Sequence, residues 1–529
     1  MVLRIKRQIL SQFRQLGLHF EPSTLRVLPP SEALNVAGEL LSELSQDLSK
    51  LTSHYRRQDE IEFGNENYCK KIIVEYSSPN IAKPFHVGNL RSTIIGNCVA
   101  NLLKFKGHNV IRMNYLGDWG TQFGILSLAF DNYGDEEQLK KDPLKHLFEV
   151  YVKGNREIES NQSWREMAKE RFSQLEFKTD SKVLEQWNRF RDLSLHELKS
   201  LYHRLGITFD FYASESMYCD SSHDIVNVLQ NRGLLEESDD GALLASVPDY
   251  ENSSQTIRVP LIKNDGSTLY LSRDIAAALH RQEQYQFDRM YYVVDSSQSK
   301  HFNNLKSIIS ALGNPIYKEM KHLKFGRILG MSTRKGEAIF LEDVLNEAKG
   351  RALEAIRNSP NTKIDKDQFD KVSDILGVSA IIIHDFANRR LKEYRFNWNK
   401  ALRMNGDTGI SLQYTHARLC NLAKNCEIEI NPNCDIFVSA IDTLEGRILI
   451  NQLAMFHQVI EQTYEMLEPN VLTCYLFDLK AAINRANQEL TIKGEKMEIA
   501  QTRLLLFNCA RNVLSTCLRL LGLYPLQSM

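Results

Sequence analysis

The nine cysteines of this 529-residue chain form no Cys-x-x-Cys pair and no Cys/His spacing suited to zinc, and their number is odd. Neither a disulfide framework nor a structural zinc site is supported as the organising principle, and a reducing compartment is expected. Long apolar runs are missing as well. None approaches the roughly 20 residues that a bilayer-spanning helix needs, so no membrane is expected as a partner. Net charge is nearly absent: 65 Lys and Arg against 66 Asp and Glu leave a formal −1. Any polyanion must therefore be met by local patches rather than by a global field. Internal repeats and low-complexity tracts are also lacking. What remains is a 43% hydrophobic composition able to bury several cores, and ordinary domain sizes suggest about three or four units.

Acid is missing from one place in particular. The first twenty residues carry Arg4, Lys6, Arg7 and Arg14, with no acid before Glu21. Val2, Ile5, Ile9, Phe13 and Leu16 recur beside them at helical spacing. That pattern fits a mitochondrial transit segment, and it equally fits a basic surface helix of an N-terminal region.

Residues 1–67 read as a short, polar, helical N-terminal region broken at Pro29 and Pro30. From residue 68 the character changes. The apolar run Ile72-Ile73-Val74 is followed by the turn-rich Ser77-Ser78-Pro79-Asn80 and a helix-compatible stretch to about Lys106. A second β-like run, Val110 to Tyr115, then ends in Gly117-Asp118-Trp119-Gly120. Strand, loop, helix, strand predicts a βαβ unit and a parallel sheet. About 131–232 is helical in period and highly charged, with Trp164, Phe172, Trp187, Phe190 and Leu193 spaced to face a core; we read it as an insertion between sheet halves. Met290–Val294 and Leu323–Leu329 resume the sheet, which closes a unit spanning 68–342. Connecting helices over 343–405 and a helical unit over 406–529 follow. The amphipathic runs Val372–Leu391, Leu412–Ala423, Leu444–Leu467 and Met497–Leu521 predict a bundle there. The fold class is α/β with a helical insertion, followed by an all-α C-terminal domain.

In an open parallel sheet, ligands sit beyond the carboxyl ends of the strands, and phosphates favour helix N-termini. The loop 77–89 occupies that place. It offers the cation Lys83, the donors His86 and Asn89, and Gly88, on which a base can pack closely because no side chain intervenes.

The run SPNIAKPFHVGNLRSTIIGN (Ser78–Asn97), followed by NYLGDWGTQFG (Asn114–Gly124), resembles the ATP-binding signature of class I aminoacyl-tRNA synthetases, and within them the arginine enzymes. The resemblance extends from about Lys70 to the last residue. It implies a Rossmann-like catalytic sheet, an anticodon-binding bundle, and ATP with Mg²⁺ as substrate. The first signature of that class usually ends in a second histidine, where this chain has Asn89. The second, normally Lys-Met-Ser-Lys-Ser, is matched by Gly330-Met331-Ser332-Thr333-Arg334-Lys335-Gly336, with neither lysine in its usual place. The resemblance implies that Lys83 supplies one missing charge and that Ser332 belongs to the mobile loop. Arg334 and Lys335 either reach phosphate or are solvated loop charges. The catalytic set is thus Lys83, His86, Gly88, Asn89, Ser332, Arg334 and Lys335, stabilising charge on the departing pyrophosphate.

A guanidinium is planar and permanently charged, so its pocket should supply carboxylates in a fixed plane. Glu75, an acid directly after an apolar strand, and Asp274 are the obvious candidates. Asp274 lies in Tyr270-Leu271-Ser272-Arg273-Asp274-Ile275-Ala276, which is similar to the family's Tyr-x-Thr-Arg-Asp-x-Ala motif. By that resemblance Asn80 holds the α-amino or carboxyl end of arginine, and Glu75, Tyr270, Asp274 and Gln298 surround the rest. Such a site rejects neutral isosteres by about 10⁴-fold without editing.

The resemblance also implies an arginyl-adenylate, no covalent enzyme intermediate, and activation that requires bound tRNA. Leu412-Gln413-Tyr414-Thr415-His416-Ala417-Arg418 resembles the opening of the family's anticodon-binding domain, whose chain typically ends in a methionine, as here at Met529. Tyr414, Arg418 and Met529 are the expected tRNA-binding residues; bracing of domain packing by Tyr414, His416 and Arg418 is the competing reading. The expected partners are arginine, ATP and its cognate tRNA, the expected assembly a monomer, and the expected place the mitochondrial matrix, with the cytoplasm as alternative. A noncatalytic tRNA-binding protein derived from a synthetase, suggested by Asn89 and the absent lysines, is the competing function.

Overall fold

The apolar run after Lys70 forms strand β1 (Lys71–Glu75), and its alternating side chains serve two cores. Ile72 and Val74 enter one buried cluster and Ile73 the other, as the two-residue repeat of a strand requires. The computed structural model describes residues 69–529 apart from 84, 86, 330–339, 359–363 and 432–435. The basic N-terminal stretch and the rest of 1–67 lie outside the described residues. So do His86, Ser332, Arg334 and Lys335.

β1 is the centre of a five-stranded sheet with β2 (Asn109–Leu116), β3 (Phe211–Ser214), β7 (Arg289–Asp295) and β8 (Met320–Phe325), in the order β3-β2-β1-β7-β8. All pairs are parallel. A parallel sheet is covered on both faces, which explains the near-continuous apolar composition of β1 and β7. Tyr291 and Val293 of β7 face the first cluster, Met290 and Tyr292 the second. The helix Val87–Phe105 lies against β1 so closely that a Cβ on Gly96 would stand 2.2 Å from Tyr76 Cβ. Five further helices, from Thr121–Tyr133 to Ser181–Arg204, lie between β2 and β3. Asp135, Asp142, Asn161 and Asp180 each open one of them with a side-chain cap on its first free N–H groups.

The expected helical insertion over 131–232 contains a strand. β3 lies inside it and forms the edge of the main sheet, its four residues being too few to display a period. A three-stranded antiparallel sheet, β4 (Leu235–Glu237), β5 (Leu243–Pro248) and β6 (Thr256–Ile262), was not expected at all. Its last strand contains Pro260, which argues against a strand in sequence; here a register shift at Leu243/Leu244 accommodates it. The expected strand Leu323–Leu329 ends at Phe325. Gly326 interrupts it where the Leu391 carbonyl passes 2.6 Å from its would-be Cβ, and β9 (Ile328–Leu329) pairs instead with β10 (Tyr394–Arg395). The expected run Leu444–Leu467 is two helices, Leu444–Ala454 and Phe456–Met466.

The C-terminal helices are not a separate core. The first buried cluster runs without interruption from Ile72 and Leu90 to Leu505, Leu514 and Leu518. Polar contacts reinforce it: Lys106 Nζ reaches Glu461 at 2.6 Å, His108 meets the Tyr464 hydroxyl at 2.8 Å, and Asn101 donates to the carbonyls of Arg519 and Leu520, each at 3.2 Å. Arg91 and Asp385, both 1% exposed, pair at 2.9 Å. They join the helix Val87–Phe105 to the helix Phe369–Phe386. Arg91 also donates to the Gly326 and Lys392 carbonyls at 2.5 and 3.1 Å, and Tyr394 donates to Asp385 at 2.8 Å.

Candidate active site

β1 leads to β2 and β3 on one side of the sheet, and β7 and β8 lie on the other. The crevice at the carboxyl ends of β1 and β7 is thus the topological switch point where an α/β sheet binds ligands. The turn leaving β1 enters it in an unusual conformation. Ser77 (φ 71°) and Ser78 (φ 42°) are both left-handed without being glycine, a strain of about 1–3 kcal/mol each that is commonly kept at functional sites. Asn80 then pairs its main chain with Gly117. Its Oδ1 accepts from Ala82 N–H at 3.0 Å, so it braces the turn that exposes Lys83. Gly88, exposed, and Asn89, half-buried, lie in the first turn of the helix Val87–Phe105, whose N-terminus faces the same crevice. The segment just beyond the second loop is tied to the first, because Leu341 N–H donates to the Phe85 carbonyl at 2.8 Å.

On the arginine side, Glu75 is buried and paired at 2.5 Å with Arg281, which is also buried. Burial pushes the Glu75 carboxyl up and Arg281 opposes it, while the Asp274 charge adds a further upward push. The two acids proposed from sequence therefore share a site, and Glu75 has an internal cation that the sequence did not disclose. The Arg281 guanidinium lies over the Tyr115 ring at 4.7 Å. Asp274 contacts His301 Nε2 at 2.7 Å, and Tyr270, exposed at the head of its helix, has its ring 5.0 Å from that of His301. Gln298 is exposed on the turn that precedes His301's helix.

A second chain of polar groups connects this pocket to the insertion. Trp119 Nε1 donates to Glu176, and Glu176 accepts from Thr268 N–H and Oγ1 at 3.2 and 3.0 Å. Arg273, adjacent to Asp274, donates to the Thr268 carbonyl at 2.9 Å and pairs with Glu215 at 2.9 Å. Asp118 is fixed by Ser216, at 2.9 Å from N–H and 2.7 Å from Oγ. None of Arg281, His301, Glu215 and Arg273 was given a role in the sequence reading. The available signal for Arg281 was its place seven residues after Asp274, near one helical face.

Burial pushes the Glu215 carboxyl up to about 7, with Arg273 opposing. Its unfolded value is near 4.5, so between these limits the unfolded chain loses the proton first, and stability falls as pH rises. We predict that the wild type loses about 3 kcal/mol relative to Glu215→Gln between pH 4.5 and 7. Urea unfolding of both proteins across that range is the check, and parallel curves would contradict it.

At the other end of the chain, Tyr414 and Arg418 are exposed four residues apart on the helix Gly409–Cys426, hence on one face. His416 points inward, 2.7 Å from the Leu526 carbonyl. Met529 is partly buried against a small cluster that includes Ile356, Leu376 and Ile410.

Comparison with known proteins gives two family matches: "tRNA synthetases class I (R), catalytic domain" over residues 51–398 and "DALR anticodon binding domain" over residues 412–529. A probable cytoplasmic arginine–tRNA ligase of Dictyostelium discoideum is 40% identical over 484 residues, covering 87% of this chain and 81% of that protein. A probable mitochondrial arginine–tRNA ligase of Mus musculus is 40% identical over 462 residues, covering 87% and 78%. Among solved structures, the arginyl-tRNA synthetase of Plasmodium falciparum superimposes with a TM-score of 0.72 at 27% identity, covering 89% of this chain and 79% of that one. The Thermus thermophilus arginyl-tRNA synthetase has the same fold, with a TM-score of 0.74 at 21% identity over 99% of this chain and 91% of that one.

Proposed function

As a member of the class I arginyl-tRNA synthetase family, this chain is an arginine–tRNA ligase, and we propose that it activates arginine as an adenylate in the crevice at β1 and β7 before passing it to tRNA. The observation that carries this reading is the convergence of Glu75 and Asp274 beside a loop whose helix N-terminus favours phosphate. The arginine carboxylate attacks the α-phosphorus of ATP, a new P–O bond forms, the α–β anhydride breaks, and pyrophosphate leaves. The terminal ribose hydroxyl of tRNA then attacks the activated carbonyl and AMP departs.

In this reading Lys83, His86, Gly88 and Asn89 hold the nucleotide, and Ser332, Arg334 and Lys335 bring the second loop to the triphosphate, whose Mg²⁺ enters as part of the substrate. Glu75, Asn80, Tyr270, Asp274 and Gln298 surround arginine. Tyr414 and Arg418 meet tRNA from their shared exposed face, with Met529 as the third tRNA-binding residue. The enzyme acts as a monomer and serves mitochondrial translation, a placement supported by the acid-free basic stretch before Glu21; fusion of that stretch to a reporter tests it against the cytoplasm.

The decisive experiment is ATP–pyrophosphate exchange with each of the twenty amino acids, with and without tRNA. Exchange with arginine alone, and only with tRNA present, supports the reading; no exchange with any amino acid supports a noncatalytic RNA-binding protein instead. Asp274→Asn is expected to raise KM for arginine about 10- to 100-fold, the scale of one hydrogen bond to a charged group, and to leave KM for ATP unchanged. An unaltered arginine KM would remove Asp274 from the pocket.

A further inference from the structure

Tyr202, in the last turn of the insertion helix Ser181–Arg204, is 1% exposed and lies under the turn that follows β1. Its hydroxyl is 2.7 Å from Ser77 Oγ and accepts from Asn114 Nδ2 at 2.9 Å. Its ring meets that of Phe85 edge-on at 5.7 Å. Ser77 Oγ is in turn 2.9 Å from Thr93 Oγ1, which is 2.7 Å from the Asn89 carbonyl. Thr93 Oγ1 can donate to either Ser77 Oγ or the Asn89 carbonyl, Ser77 and Tyr202 share the next bond, and the Asn114 amide stands at the head of the line. The line begins in β2 and touches the loop 77–89 at both ends.

We propose that Tyr202 is a positioning residue for the ATP chemistry: through this buried line of hydroxyls the insertion holds the loop 77–89 in the shape that presents its donors to the triphosphate. The inference rests on the adenylate reading above. It explains how two consecutive left-handed serines persist, since such residues survive only where their surroundings over-determine them. Ser77 is held from its main chain too, its N–H reaching Ser92 Oγ at 2.9 Å while Ser92 donates to the Val293 carbonyl at 2.6 Å. Removing the Tyr202 hydroxyl takes from Ser77 a buried hydrogen-bond partner and from Asn114 its acceptor. The fold keeps the Ser92 anchor, but the turn loses its fixed direction. Displacements of about 1 Å among groups around a reacting centre cost up to about a hundredfold in rate.

Tyr202→Phe keeps the ring against Phe85 and deletes only the hydroxyl. In ATP–pyrophosphate exchange with arginine and tRNA, kcat should fall about 10- to 100-fold and KM for ATP should rise, while KM for arginine stays unchanged. A merely structural role would lower the thermal midpoint and leave kcat intact, and that outcome overturns the proposal. Ser77→Gly supplies the left-handed backbone freely and also deletes a hydroxyl of the line. If the two act through one link, the double variant is no slower than the worse single one; multiplied losses overturn the proposal. Should Tyr202→Phe not fold, Ser77→Gly alone must show the same division between ATP and arginine, or the proposal fails. A wild-type enzyme that gives no exchange would bring down the adenylate reading itself, a result distinct from an active wild type with an unaffected Tyr202→Phe.

Discussion

Glu75→Gln is expected to cost about 3 kcal/mol of stability and, in the protein that remains folded, about a hundredfold in kcat/KM for arginine. The stability loss comes from the partner left behind. Arg281 is buried and pairs through Nη1 with Glu75, and an uncompensated buried guanidinium is far more costly than the intact pair is favourable. The activity loss comes from the substrate, whose guanidinium would meet a neutral amide in place of a carboxylate. The two effects can be separated. In the double variant Glu75→Gln/Arg281→Met the stranded charge is gone, so the urea midpoint should recover while the arginine KM stays high. Recovery of both would make Glu75 a structural acid with no part in recognising arginine, and a single variant as stable as the wild type would contradict the buried pair.

Asp385→Ala should be still more damaging to the fold, by about 3–5 kcal/mol. Asp385 is held by burial above the ordinary carboxylate range, with Arg91 opposing; it forms an ion pair with Arg91 and accepts from Tyr394. Arg91 also holds the Gly326 carbonyl, just before β9 leads into the loop 330–339. The same substitution should therefore loosen the base of the second signature loop, raising KM for ATP in whatever fraction stays folded. Arg91→Met/Asp385→Leu is predicted to regain most of the stability and little of the ATP affinity. If the double variant recovered full affinity for ATP, the junction would be structural support alone.

The elements that sequence disclosed were those with a long period or a local chemical signature. β1, β2 and β7 announce themselves as apolar runs because both of their faces are buried, and the helix Met497–Leu520 because its apolar stripe persists for many turns. Glu75 stood out as an acid placed where a strand should continue to be apolar. Its partner did not, because Arg281 is 206 residues away along the chain and one arginine in an amphipathic helix looks like any solvated charge. His301 carried no comparable signal, because its contact with Asp274 depends on two helices meeting in space. β3 and the antiparallel sheet β4-β5-β6 were illegible for a different reason. Their segments are short, half-exposed and interrupted by Pro260, and pairing rather than local propensity makes them strands.

The continuous cluster that joins the sheet to the last helices has a consequence for the order of synthesis. The helix Val87–Phe105 emerges from the ribosome early, yet its Asn101 finds the carbonyls of Arg519 and Leu520 only when the chain is almost finished. At about 5–20 residues per second, the intervening stretch takes tens of seconds to make, and throughout that time a face of the nascent sheet unit waits without its cover. A ribosome that stops short of the last helix thus releases a polypeptide with its nucleotide loop already made and a wide apolar surface still open, a natural client for chaperones and a poor candidate for premature catalysis.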